Sequence, residues 1–99
     1  MQVRTFIDVI PQGDGRDRYQ VGVFVEGPSH AYPTIRGVDV GFVCGRLGQL
    51  GWSLLRERFE SRGRLENEVV DVSPAQLELL GFTPADVSLL LSAGLRHSA

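Results

Sequence analysis

The N-terminal quarter alternates its side chains with a period of two, and nothing else in the chain limits the fold so tightly. Val3, Thr5, Ile7 and Val9 fall on one side of an extended segment, with Arg4, Phe6, Asp8 and Ile10 on the other. Tyr19, Val21, Val23 and Val25 do the same in a second segment, opposite Gln20, Gly22, Phe24 and Glu26. Successive strand side chains point to opposite faces, and β-branched and aromatic residues suit a pleated, half-buried surface. Between the two segments Pro11 to Arg18 holds two glycines and two aspartates, residues that favour turns. The expectation is an antiparallel hairpin with a slightly long connection.

Further strands are shorter. Pro28 and Pro33 punctuate a loop from Gly27 to Thr34, and Ile35 to Val40 reads as a third strand. Glu66 to Val72 is a fourth, with Val70 and Val72 on one side and Val69 on the other.

The central segment, 41–62, has helical spacing. At 100° per residue Cys44, Gly48, Trp52, Leu55 and Phe59 form one stripe flanked by Leu47 and Leu54, while Arg46, Gln49, Ser53, Arg56, Glu57 and Glu60 collect opposite. Gly41, Gly45 and Gly48 fall within the apolar stripe. A glycine inside a helix costs about 1 kcal/mol relative to alanine. Three on one face suggest close approach of another backbone, from the protein's own sheet or a partner helix. The alternative is that 37–46 is loop and the helix starts later.

The last quarter carries two helix starts. Ser73-Pro74-Ala75-Gln76 and Thr83-Pro84-Ala85-Asp86 each place a hydroxyl cap before a proline at the first helical position. Gly81 and Gly94 read as stops, giving helices at about 74–80 and 84–93.

Composition narrows the chemistry. A chain of 99 residues makes one domain, and 42% apolar residues suffice for a core. All ten basic residues are arginine, and the net charge is −2. Without lysine there is no P-loop, Schiff-base or pyridoxal-phosphate chemistry, since each needs a lysine amine. The glycine run 37–51 contains no G-x-G-x-x-G. The one cysteine, Cys44, excludes an internal disulfide and fits a reducing compartment. Cys44, His30 and His97 lack metal-site spacing, and Cys44 with His30 is the sole Cys–His combination. Asp14 and Asp17 sit in the polar hairpin loop, where aspartate supports turns. No catalytic, cofactor-binding or metal-binding residue is therefore assigned. Arg4 and Asp8 interrupt the first apolar stretch, and Asp39 and Arg46 interrupt the longest one. The expectation is a cytoplasmic protein with no membrane segment.

Residues 76–90 resemble the helix-turn-helix of bacterial regulators, through the turn Leu80-Gly81-Phe82-Thr83 and the apolar Val87 and Leu90. The resemblance implies transcription regulation, with the second helix reading DNA. Bulky Leu77 stands where that family has alanine, and the second helix offers Ala85, Asp86, Ser88, Leu89 and Ser92, poor partners for base edges. Glu66, Glu68, Asp71, Glu78 and Asp86 add five negative charges over 66–86. An acidic C-terminal half disfavours a phosphate backbone.

Partner binding is the better supported expectation. Arg46, Arg56, Arg58, Arg62 and Arg64 outweigh Glu57 and Glu60 on one stretch. Leu89, Leu90 and Leu91 are consecutive and cannot all face one core; Val87, Leu90 and Leu91 share a side, and Leu89 turns away. Exposed apolar patches mark contact sites. The sequence thus predicts a single α+β domain over residues 1–99. It has a small antiparallel sheet in 1–40 and 66–72, one long helix at 41–62, and a pair of short helices at 74–94. Its expected role is that of a non-enzymatic protein–protein interaction module, an adaptor or a self-associating domain. The partner is another protein or a second copy, met by Trp52, Leu89, Arg46, Arg56, Arg62, Gly41, Gly45 and Gly48. Nucleic-acid binding is the alternative.

Overall fold

The computed structural model describes residues 1–11, 17–25 and 33–98, with the backbone alone described for 94–98. Three strands come first: β1 (Gln2–Ile10), β2 (Arg18–Phe24) and β3 (Thr34–Val38). Helices α1 (Val40–Gln49) and α2 (Ser53–Arg62) follow, then β4 (Leu65–Asp71), α3 (Pro74–Leu80) and α4 (Pro84–Ser98). The strands form one antiparallel sheet in the order β3-β2-β1-β4, so the hairpin is its centre and β3 and β4 are its edges. The α+β class is as the alternation and the caps imply. The tip of the hairpin loop, 12–16, which includes Asp14, lies outside the described residues, as do 26–32 with His30.

Register follows the apolar pattern. Thr5 pairs with Val23 and Ile7 with Val21, so the inward set of β1 meets the inward set of β2. Strand β4 adds Val70 beside Val3 and Leu65 beside Ile7, with an irregularity between Thr5 and Ile7. Two clusters cover this face. One joins Val3 and Val23 to Leu77, Leu80, Val87 and Leu90; the other joins Ile7, Tyr19 and Val21 to Val43, Leu47, Leu55 and Phe59. Ile35, Trp52 and Val70 pack against both. The buried Thr5 hydroxyl donates to the Gly22 carbonyl at 3.0 Å, so this inward polar group has a partner.

The single central helix is corrected by the structure: 41–62 is two helices. Asp39 caps the first by accepting from the Phe42 N–H at 2.7 Å, which settles the start of α1 at Val40 and ends β3 at Val38. The first helix stops at Gly51, whose φ of 77° is left-handed. There the Trp52 N–H reaches the Leu47 carbonyl and the Gly51 N–H reaches that of Gly48, which satisfies the last carbonyls. Trp52 then caps α2. The stop expected at Gly94 is also corrected, since α4 continues to Ser98. The two C-terminal starts behave as read. Ser73 and Gln76 exchange side-chain bonds with each other's backbone N–H, and Thr83 and Asp86 do the same.

Candidate functional site

Breaking the central segment changes the phase of its faces. The residues that α1 buries are Val43 and Leu47, and those of α2 are Leu55 and Phe59. Gly41, Gly45 and Gly48 are exposed, on the side away from the core. A Cβ at Gly45 would meet nothing, one at Gly41 only the Asp39 carboxylate, and one at Gly48 the end of Arg56. The expectation that the protein's own sheet crosses these glycines is overturned: the core side of α1 is one residue turned from the stripe. Gly45→Ala should therefore stabilise the isolated chain by about 1 kcal/mol, because helix propensity is gained in open space. Thermal melting checks it, and a lowered Tm would mean that α1 is packed against something at that position.

The arginines are held along their own surface. The Arg46 guanidinium lies 4.9 Å from the centre of the Phe42 ring and bonds Gln49 at 3.3 Å. Arg56 meets Glu60 at 2.8 Å one helical turn on. Arg62 is exposed in the last turn of α2, where a cation complements the helix dipole. Arg58, part of the arginine-rich stretch but not among the expected contact residues, spans from α2 to β4 and bonds Glu68 at 2.6 Å. Cys44 is half-buried, and burial first, then the Glu60 charge, push its thiol above the usual range although Arg56 pulls the other way. A raised thiol pKa leaves little thiolate near neutrality, so Cys44 has weak nucleophilic character. Among the described residues no three His, Cys, Asp or Glu side chains converge as a metal site would require. No helix among the described residues is long and apolar enough to cross a membrane.

Apolar surface concentrates elsewhere. Trp52 is half-buried at the α1–α2 corner, and next to it Leu54 is 67% exposed. With Gly51, Leu55, Arg58 and Glu68 to Val70 they line an open concavity of about 420 Å³ between α2 and β4. A separate hollow of about 410 Å³ lies beside Asp71 and Val72, lined also by Met1, Pro74 and Leu91. Leu89 is 45% exposed, turned outward as expected, but it lines neither hollow. Leu91, expected inside, is partly exposed, and Ala93 takes its place in the core. So the structure unites Trp52 with Leu54, Val69 and Arg58, and leaves Leu89, Arg46 and the three glycines outside that group. The signal for Leu54 is present in the sequence: Leu54 and Leu55 are consecutive, so one of them must leave the core. Val69 alternates with Val70 and so stands on the other face of the sheet, as its spacing implies, and borders the hollow at the edge of β4.

No protein-family model matches this chain, and neither a curated protein nor a solved structure matches it significantly. The function therefore rests on the site.

Proposed function

We propose that this chain is a small protein–protein interaction domain without catalytic chemistry, an adaptor or a self-associating module, whose contact surface lies between α2 and β4. The observation that carries the reading is Leu54, an apolar side chain two-thirds exposed at the rim of a concavity that also contains Trp52 and Val70. The half-buried Trp52 and the nearby Arg58 are of the residue types enriched at interface centres, and Leu54 adds exposed apolar surface beside them. The flanking Arg58–Glu68 pair supplies a charged rim. Binding of nucleic acid through the arginine-bearing helix or the α3–α4 pair has less support. Arg56, Arg58 and Arg64 each hold a carboxylate, and Asp86 is occupied in capping α4.

The test is Leu54→Asp. Burying a leucine contributes roughly 1.5–3 kcal/mol, so its loss should weaken association by about 10- to 100-fold. Sedimentation velocity of the purified chain and affinity capture of a heterologous partner are compared with Glu57→Lys, a charge change on the exposed side of α2. The expected result is that complexes seen with the wild type vanish in Leu54→Asp and persist in Glu57→Lys. A wild type that neither self-associates nor retains a defined protein rejects the reading, as does equal behaviour of the two variants.

A further inference from the structure

Strand β4 closes the sheet on one side, and among the described residues no strand pairs with its outer edge. Which backbone groups face outward follows from the ladder. Val72 donates its N–H to the Met1 carbonyl at 2.8 Å, and the Met1 ammonium donates back to the Val72 carbonyl at 2.9 Å. Residues facing one another across an antiparallel pair alternate between hydrogen-bonded and non-hydrogen-bonded positions. Since Met1–Val72 exchanges both bonds, Val3–Val70 and Thr5–Glu68 are the next bonded pairs. Val69 and Asp71 then occupy the positions between, with N–H and C=O directed away from β1. The edge thus offers two donors and two acceptors beside the apolar hollow.

We propose that β4 pairs antiparallel with β4 of a second copy, in the register that sets Val69 against Val69 and makes one eight-stranded sheet across a two-fold axis. This rests on the interaction reading above and names its partner. The register follows from side-chain chemistry. Setting Val69 against itself places Glu68 opposite Val70 and Asn67 opposite Asp71, so no two carboxylates face each other directly. Each Glu68 keeps its own Arg58, which neutralises the diagonal approach of the two Glu68 side chains. Moving one step towards the start of β4 sets Glu68 against Glu68, a like-charge pair that opposes pairing. Moving one step the other way sets Val69 against the Asp71 carboxylate. Val69 is 47% exposed in the single chain, and in the proposed register it gains an apolar neighbour directly opposite. The far edge of the sheet is less suited: β3 has five residues and a register shift against β2, features that discourage edge pairing.

The experiment uses the full chain. Val69→Pro removes an outward N–H while leaving the β1 ladder intact, a position where an edge strand tolerates proline. Sedimentation velocity should show a concentration-dependent dimer for the wild type and at least a tenfold weaker one for Val69→Pro, with circular dichroism confirming that both are folded. A second variant guards against misfolding: Val69→Cys in a Cys44→Ser background. Residues opposed in a bonded antiparallel pair have Cα atoms about 5.5 Å apart, within disulfide range. Mild oxidation should therefore yield a covalent dimer, and Arg36→Cys on the other edge should not. A wild type that stays monomeric near millimolar concentration overturns the proposal, yet leaves heterologous binding at Leu54 standing. A dimer that Leu54→Asp abolishes but Val69→Pro does not, or a Val69→Cys chain that fails to cross-link, also overturns it while sparing the broader reading.

Discussion

Alanine at Phe59 is expected to remove about 3–5 kcal/mol of folding free energy, the range for truncating a buried aromatic. Whole domains have only about 5–15 kcal/mol to lose. The size of the effect comes from where the ring sits. Phe59 is 1% exposed, belongs to the cluster of Ile7, Val21, Leu55 and Leu65, and meets the Tyr19 ring edge-on at 5.0 Å and 73°. Such aromatic pairs contribute about 0.5–1.5 kcal/mol beyond burial. It also closes the last turn of α2, where the Gly63 N–H reaches its carbonyl at 2.7 Å. Urea unfolding should show a much lower midpoint at an unchanged slope. Leu54→Ala, at the exposed position on the same helix, should shift stability by no more than about 0.5 kcal/mol. A loss below 1 kcal/mol for Phe59→Ala would mean that α2 is not seated on the sheet, and the hollow between α2 and β4 would lose its wall.

That contrast on one helix shows why parts of the molecule can be read from the chain and others cannot. Strand alternation and helix caps are local: Val3 to Ile10 and Ser73 to Gln76 carry their conformations in their own spacing and chemistry. The outward turn of Leu89 follows from three leucines in a row, for the same local reason. The break at Gly51 is local too, but it sits in a run with Gly37, Gly41, Gly45 and Gly48, where one more glycine carries no distinguishing mark. Once the break is missed, a single angular phase is imposed on two helices. The inferred stripe then joins Cys44 and Gly48 to Leu55 and Phe59, whereas the buried side of α1 is Val43 and Leu47. On that phase the glycines read as packing residues, whereas Gly41, Gly45 and Gly48 are exposed.

The hollow was out of reach for a different reason. It exists because β4 returns antiparallel beside β1 and so lies along α2, and that pairing joins Gln2 to Asp71 across most of the chain. Periodicity describes which way a residue faces relative to its own element, never which other element it will face. Trp52 stands on the apolar stripe of its own segment, and that much is local. Its neighbours Val69, Arg58 and Glu68 are assembled by topology. Arg58 likewise finds Glu68 through space, from another element, and so becomes part of the rim.

Gly81→Val should cost about 2–6 kcal/mol, because two penalties coincide there. The residue ends α3 with φ at 118°, a conformation L side chains avoid at a cost of about 1–3 kcal/mol. A Cβ would also stand 3.1 Å from Cδ1 of Ile35 and 3.6 Å from Cζ of Phe42, in the junction where α1, α3 and β3 meet. Overpacking of that kind adds about 1–3 kcal/mol. Ile35 touches both core clusters, so displacing it is felt across the sheet. Gly51→Ala separates the two causes: its φ is also positive, at 77°, but nothing lies within 4 Å of a Cβ there. It should lose only the backbone part. Denaturant melts of the two variants side by side measure the difference. Should Gly51→Ala prove as costly as Gly81→Val, the crowding at the α1–α3–β3 junction would count for nothing. The α3–α4 pair would then be attached to the rest of the domain more loosely than the packing of Leu77, Leu80 and Leu90 implies.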